Sequence, residues 1–455
     1  MLKIYNTLSR KVEKFKPLKK GKAGMYTCGP TVYDYDHLGH GWNYFNSDIL
    51  RRVLEYQGYL VKHVLNITDV GHLTSDADTG EDKLEKAAKA GGKTAREIAD
   101  YFTEIYLENR KKMNFLEPTV ICKATDHIPE MIELVQTLID KGFGYEISDG
   151  IYFDTAKFPR YGQLSGNTLD KLKEGARVEI NPEKKNHTDF ALWKFSPEGG
   201  QRQMEWKAFG RQGFPGWHIE CSAMSMKYLG HTFDIHTGGE DNIFPHHECE
   251  IAQSEAATGV KFVDYWFHTR FLMIEGEKMS KSKNNFYRLQ DLEAKGFSAL
   301  DLRYLFLTAH YRSQLNFTWA GIEGAKVARA KLMSFMAGIS NVGKVNKEFK
   351  DRFIGLINDD LAMPQVMALV WEVVKSDMKE EDKKATLLDF DRVLGLGLAR
   401  AETVEIPEEI KIIAEKRWQA KSDKDFVQAD KLRMEIEDLG YIMEDGKDGY
   451  KVKKA

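Results

Sequence analysis

Two hydrophobic periods alternate along the first half of the chain. An apolar run ends near Tyr26-Thr-Cys28, breaks at Gly29-Pro30, and gives way to an amphipathic stretch from Trp42 to Tyr56. That order predicts strand, tight turn and helix. Tyr59 to Thr68 is rich in β-branched and apolar residues and predicts a second strand, so the three elements form a βαβ unit, whose right-handed crossover implies a parallel sheet. Asp69 to Gly92 is polar and Gly-rich and leads into a helix, and Ile98, Phe102, Ile105 and Tyr106 recur at helical spacing between Thr94 and Met113.

Past Pro118 the pattern shifts. A helix over 128–139 stops at Lys141-Gly142, and short alternating runs follow (Ile151-Tyr-Phe-Asp154 and Arg177-Val-Glu-Ile180), joined by Gly, Pro and Asn. This is α+β material interrupting an α/β pattern, which resumes at Gly216-Trp-His-Ile-Glu-Cys221 with a helix to Tyr228. A strand at Thr232-Phe-Asp-Ile-His236, a Gly238-Gly239 turn, a helix from Pro245 and a strand over 265–274 complete it. Beyond Leu289 the reading is helical to about Arg400. A short helical tail after Pro407 ends in a turn at Glu444-Asp-Gly-Lys-Asp-Gly449. The fold class is therefore α/β. The expected segments are 1–117 and 216–270 for the two halves of a parallel sheet, 118–215 for an inserted α+β domain, 271–316 for a loop and connecting helices, 317–400 for a helical bundle, and 401–455 for a small appendage.

Composition narrows the classes without naming one. A chain of 455 residues exceeds one ordinary core. The net charge of -3 gives no global footprint for nucleic acid, so any RNA contact rests on local patches. Neither a leader pattern nor an apolar run of bilayer length is present, which sets the expectation of a cytoplasmic protein without membrane contact. Four cysteines (Cys28, Cys122, Cys221, Cys249) are too few for a disulfide framework and suit free thiols or metal ligands.

Three patterns carry chemistry. His37-Leu-Gly-His40 sits where the first helix starts, at the open end of the sheet, where backbone N–H groups and the dipole favour an anion. Two imidazoles there add donors to a phosphate whose charge grows in a transition state, although the same pair also suits capping of the first turn. His246-His-Glu-Cys-Glu250 places His246 and Glu250 on one helical face, and Cys28 and Cys221 fall at a strand end and a helix start that converge in a doubly wound sheet. Two thiolates, an imidazole and a carboxylate suit Zn²⁺. The spacing is dispersed, Cys249 and His247 are further candidates, and buried apolar cysteines are the alternative. Lys278-Met-Ser-Lys-Ser282 is either a solvated loop or a mobile clamp that brings two ammonium groups to the β- and γ-phosphates of ATP.

Together these residues resemble the class I aminoacyl-tRNA synthetases, and within them the cysteinyl-tRNA synthetase family. The HIGH signature stands as His37-Leu-Gly-His40, with leucine in second place, and the KMSKS signature is complete at Lys278–Ser282. Met25-Tyr-Thr-Cys-Gly-Pro-Thr-Val-Tyr-Asp34, Pro215-Gly-Trp-His-Ile-Glu-Cys-Ser-Ala-Met224, Gly239-Glu-Asp-Asn-Ile-Phe-Pro-His-His-Glu248, Tyr311-Arg-Ser-Gln-Leu-Asn-Phe317 and the tail Lys424-Asp-Phe-Val-Gln-Ala-Asp430 extend the likeness over nearly the whole chain. Cys249, Asn242 and Leu361-Ala-Met-Pro364 depart from the family's usual residues.

The resemblance implies a Rossmann-type catalytic domain, a helical-bundle anticodon-binding domain and an anticodon-contacting appendage. It implies ligation of L-cysteine to its tRNA through a cysteinyl-adenylate, with ATP and Mg²⁺ as substrate and one Zn²⁺ per chain held by Cys28, Cys221, His246 and Glu250. His37, His40, Lys278 and Lys281 would be catalytic, and with Ser280 would bind ATP. Thr31, Thr68, Trp217, His236 and Asp241 would line the cysteine pocket. A monomer is expected. A cysteine:amino-sugar ligase of the same superfamily and a non-catalytic RNA- or zinc-binding paralogue are the competing readings.

Overall fold

The computed structural model describes residues 1–71, 82–167, 181–197, 202–279, 285–401, 407–446 and 449–454. At its centre lies a five-stranded parallel sheet. In chain order its elements are β1 (Lys22–Thr27), α1 (Leu38–Tyr56), β2 (Leu60–Ile67), β3 (Val120–Lys123), α2 (Trp217–Leu229), β4 (Phe233–Gly239), α3 (Glu248–Thr258) and β5 (Val263–Thr269). The strand order is β5-β4-β1-β2-β3, so the connections reverse direction between β1 and β4. This is the Rossmann-type arrangement expected from the sequence, and a crevice opens at such a reversal, beyond the strands' carboxyl ends.

The two faces of the sheet build two cores. On one, α1 buries Leu38, Trp42, Phe45, Ile49, Leu50, Val53 and Leu54 in the cluster that also holds Phe306, Phe353 and Phe390 of the helical region. On the other, Tyr26 and Val64 face α2, α3 and the helix Ile128–Asp140, in a cluster continuous with Phe153, Phe190 and Trp193. Those last three belong to a five-stranded antiparallel sheet in the order Gly144–Ile147, Gly150–Phe153, Phe190–Phe195, Arg211–Pro215, Trp206–Ala208.

Several expectations need correction. Val120–Lys123 pairs parallel with β2 as the edge strand, so this stretch of the segment 118–215 belongs to the central sheet. At four residues behind Pro118, it is too short to show its period. The strand expected over 265–274 is two. After Thr269 the chain turns, with Arg270 N–H donating to the Tyr311 carbonyl at 2.9 Å, and Leu272–Ile274 pairs instead with Leu315–Phe317 inside the stretch read as wholly helical. The helix read from Pro245 holds: Phe244 is extended (φ -142°, ψ 132°), and helical backbone follows it into Glu248–Thr258. The closing turn at 444–449 joins the strands Tyr441–Asp445 and Tyr450–Lys454. The run expected at 177–180 lies outside the described residues.

A buried ion cluster joins α1 to the helical region. Asp48 accepts from Arg52 Nε, Arg303 Nη2 and the Leu116 N–H, each at 2.7 Å. Arg303 is fully buried and also donates to the Leu394 and Met113 carbonyls at the ends of two helices. Burial alone would raise the Asp48 pKa, but the Arg52 and Arg303 charges outweigh it and bring it down to about 2 from 3.8. A depressed carboxylate stabilises the fold above its unfolded pKa and loses that contribution as pH falls through its folded one. Here that is about 2 kcal/mol, complete above about pH 4 and lost on approach to pH 2. Arg303→Met leaves Asp48 short of a partner in the interior and is expected to cost about 3–5 kcal/mol, read as a lower urea midpoint at pH 7. An unchanged midpoint would refute this role.

Candidate functional site

The crevice edge is set by β1 and β4. The Cys28 N–H donates to the Thr237 carbonyl at 3.1 Å, continuing the ladder one residue past β1 and holding Cys28 at the rim. Gly29 follows because nothing larger fits: a Cβ there would lie 1.7 Å from the Asn66 carbonyl oxygen. Pro30 and Thr31 then run beside Thr68, whose N–H donates to the Pro30 carbonyl at 3.0 Å.

Four donor groups meet behind that rim. Cys28 Sγ lies 3.8 Å from Cys221 Sγ and 3.4 Å from His246 Nε2, and His246 Nε2 lies 3.2 Å from Glu250 Oε1. All four side chains are buried, and their donor atoms fall within 4.8 Å of one another. The chemistry of this set fits a divalent soft cation. Glu250 Oε1 is buried with no hydrogen-bond partner. The hydrogen bond with Cys28, then burial, push the Cys221 thiol well above its ordinary pKa, so a neighbouring cation is what would let both sulfurs ionise. Of the open alternatives, Cys249 points elsewhere, whereas His247 turns Nε2 to within 3.9 Å of Glu250 Oε1 and forms a second group of donors with His236 and Glu250. Cys249 Sγ contacts the Tyr161 hydroxyl at 3.4 Å, and His247 Nδ1 pairs with His268 Nε2 at 2.8 Å.

Further groups orient these donors. His218 Nδ1 lies 2.8 Å from His246 Nδ1, which leaves His246 Nε2 turned to the sulfurs. His236 Nε2 lies 2.9 Å from Glu250 Oε2. His236 is fully buried, so it backs the carboxylate and does not front the crevice. Trp217 lies against the His246 ring, centroids 4.4 Å apart, and remains partly accessible. Thr68 Oγ1 donates to Glu220 Oε2 at 2.9 Å. Glu220, His218 and Asp36 were not anticipated. Only their proximity to Cys221 and His37 in the chain could have flagged them.

The second centre is the start of α1. His37 caps the helix, its Nδ1 accepting from the His40 N–H at 3.2 Å, and its ring stacks on His40 at 3.7 Å. Gly39 makes room for that fold-back, since a Cβ would sit 2.9 Å from the His37 ring. The His40 side chain is exposed at the mouth of the crevice. Desolvation lowers its pKa, but the hydrogen bond it donates to Asp36, then the Asp36 and Asp241 charges, outweigh that and raise it above 6.5. Asp241 is exposed, just beyond the end of β4, which runs on through Gly238 and Gly239 where a turn was expected. The loop after β5 reaches the same place. The Leu38 N–H donates to the Tyr287 carbonyl at 2.9 Å, Phe286 meets the His37 ring edge-on at 5.1 Å, and Met279 Cε lies 3.9 Å from a Cβ position on Gly39. Lys278 is exposed, with Nζ 4.2 Å above the Phe271 ring. Ser280 and Lys281 lie outside the described residues.

Comparison with known proteins identifies the family. A family model described as tRNA synthetases class I (C) catalytic domain matches residues 14–327. The chain belongs to the class I cysteinyl-tRNA synthetase family. It is 48% identical to cysteine–tRNA ligase 1 of Burkholderia lata over 99% of this chain and 96% of that protein. It is 43% identical to the cysteine–tRNA ligase of Treponema denticola and 40% identical to that of Thermus thermophilus, each over 98% of both chains. A methionyl-tRNA synthetase from Mycobacterium tuberculosis bound by methionyl-adenylate shares the fold at 14% identity, with a TM-score of 0.55 over 84% of this chain and 92% of that one. Among the described residues no helix is long and apolar enough to cross a membrane.

Gly29→Ala tests the rim. The added methyl must displace the Asn66 backbone and with it Cys28. A loss on the order of 3 kcal/mol in thermal unfolding and loss of stoichiometric metal uptake are expected. Wild-type behaviour in both would show that the close approach is not required.

Proposed function

We propose that the chain activates L-cysteine with ATP and transfers it to the cysteine-specific tRNA, and that the cluster of Cys28, Cys221, His246 and Glu250 holds one zinc ion that selects the substrate by its sulfur. The observation that carries this reading is the convergence of two centres at the carboxyl end of one sheet. One is a sulfur-seeking donor set, and the other is a helix start bearing paired imidazoles.

The cysteine carboxylate attacks the α-phosphorus of ATP in line, giving cysteinyl-adenylate and pyrophosphate. A ribose hydroxyl at the end of the tRNA, the 2′-hydroxyl first, then takes the cysteinyl group. His40, biased toward its protonated form by Asp36, donates to phosphate oxygens as their charge grows, and His37 fixes its position by stacking. Lys278 and Lys281 hold the leaving pyrophosphate, with Ser280 in the same loop and Mg²⁺ accompanying ATP. Thr31, Thr68 and Trp217 line the amino-acid pocket. His236 supports it from behind Glu250, and Asp241 stands at the mouth on the His40 side.

Zinc bound at the cluster would supply a soft Lewis acid that favours a thiolate over a hydroxyl. An apolar pocket alone separates a hydroxyl isostere by only about a hundredfold, so a sulfur-selective site removes the need for editing. The segment 118–215 is small for an editing domain. The helical segment 317–400 is read as the anticodon-binding bundle and 401–455 as its appendage, where base recognition would rest on stacking and edge contacts.

Pyrophosphate exchange with cysteine and with serine, before and after zinc removal, tests the selector. Discrimination should collapse toward the hundredfold level once the metal is gone, and equal discrimination in both states refutes it. Charging of a tRNA transcript separates this reading from an amino-sugar ligase. A His40 that acts protonated loses its effect as pH rises through its raised pKa. Asp36→Asn should therefore move the alkaline limb of the exchange rate to lower pH, and an unmoved limb would count against His40.

A further inference from the structure

Between the helices Lys347–Ile357 and Met363–Lys375 the chain passes through Asp360 and Leu361, two buried non-glycine residues in succession with positive φ (56° and 57°). Such backbone is costly and persists where the surroundings over-determine it. Asp360 Oδ1 accepts from the Tyr5 N–H at 2.8 Å and the Tyr311 hydroxyl at 2.5 Å, and Oδ2 accepts from Arg312 Nε at 2.6 Å. The Asp360 N–H donates to the Lys3 carbonyl at 3.1 Å, and its own carbonyl accepts from His310 Nε2 at 2.7 Å. All five of these partners lie outside the helical segment 317–400. The bonds to Lys3 and Tyr5 dock that segment on the first strand, Lys3–Asn6. The other three hold one short turn, 310–312.

That turn is the root of the strands that carry Lys278. The Tyr311 carbonyl accepts from the Arg270 N–H at 2.9 Å, and the buried Tyr311 ring stacks on Phe267 of β5 at 4.3 Å. Two parallel strands leave this joint, with Leu272 opposite Leu315 and Ile274 opposite Phe317. Glu277–Lys278 folds back on the first of them, with Lys278 opposite Met273. The Lys278 side chain is exposed, so this backbone sets where its ammonium can reach. We propose that Asp360 is a positioning residue for the reaction: by holding Tyr311 and Arg312 it fixes the strands that aim Lys278 at the leaving phosphates. This rests on the phosphate-binding reading of Lys278 given above. Misplacing a group at a reacting centre by about 1 Å lowers a rate on the order of a hundredfold. A carboxylate at the strands' root therefore acts on the rate without touching the substrate.

Asp360→Asn keeps the shape of the side chain and leaves Arg312 facing an amide. Expected in pyrophosphate exchange are a KM for pyrophosphate raised about 10-fold and a kcat lowered about 10-fold. The KM for cysteine should not move, because the cysteine pocket is built on β1 and β4. The decisive comparison repeats the substitution in Lys278→Ala. A carboxylate that acts through Lys278 should then change either constant by less than about twofold, since effects on one unit do not add. A clamp that only stabilises the fold lowers the thermal midpoint and leaves the constants alone. Wild-type constants in Asp360→Asn, or a full further loss on top of that in Lys278→Ala, overturn the inference. Wild-type constants in Lys278→Ala alone overturn the phosphate reading beneath it. Should Asp360→Asn fail to fold, Arg312→Gln, at a partly exposed guanidinium, runs the same cycle with the same outcomes.

Discussion

The parallel pairing of β1 with β4 is the constraint on which the site rests. These strands adjoin in the sheet although more than two hundred residues of chain separate them. Their ladder runs through Thr27–Thr237 and on to the Cys28 N–H, so the rim cysteine is positioned by backbone hydrogen bonds and not by its side chain. Thr237 Oγ1 donates to Thr27 Oγ1, and Ser47 of α1 donates to Thr237 Oγ1, both at 2.9 Å, which ties the helix of the paired histidines to the same joint. The four-donor cluster and the paired histidines thus share one rigid support, the condition under which a site keeps its geometry through a reaction.

The helix α1 serves two purposes. Its first turn presents His37 and His40 to the crevice, while its apolar stripe lies in a core shared with Phe306, Phe353 and Phe390. Asp48, one side of that helix, is neutralised by Arg52 and by Arg303 from the helical region. The helical region is therefore packed, through both apolar burial and buried charge, against the element that carries His37 and His40.

Much of this could be read from residues. The apolar run into Gly29-Pro30 and the stripe from Trp42 to Tyr56 identify strand and helix because each follows its own period over enough residues. The four donors converge as a doubly wound sheet requires, since strand ends and helix starts meet at its switch point. Other features could not be read. Val120–Lys123 is too short to reveal its period. The bend at Phe244 that turns His246 and His247 inward depends on the surrounding packing. The different fates of Cys249 and Cys221, both buried, are set by whether a tyrosine or another sulfur lies opposite, which depends on contacts between distant segments. Glu220, fully buried against Thr68, looks in the sequence like any surface glutamate.

The strand Arg211–Pro215 of the antiparallel sheet leads into α2 through a single residue, Gly216, whose Cα lies so close to the Ala191 carbonyl that a Cβ would stand 2.1 Å from its oxygen. Cys221 is in the second turn of that helix. The interrupting segment is thus less a tethered module than a direct extension of the helix that carries one of the four clustered donors. Relatives that exchange this segment among themselves would have to preserve the hinge to the ångström, or lose the sulfur that the rest of the crevice awaits.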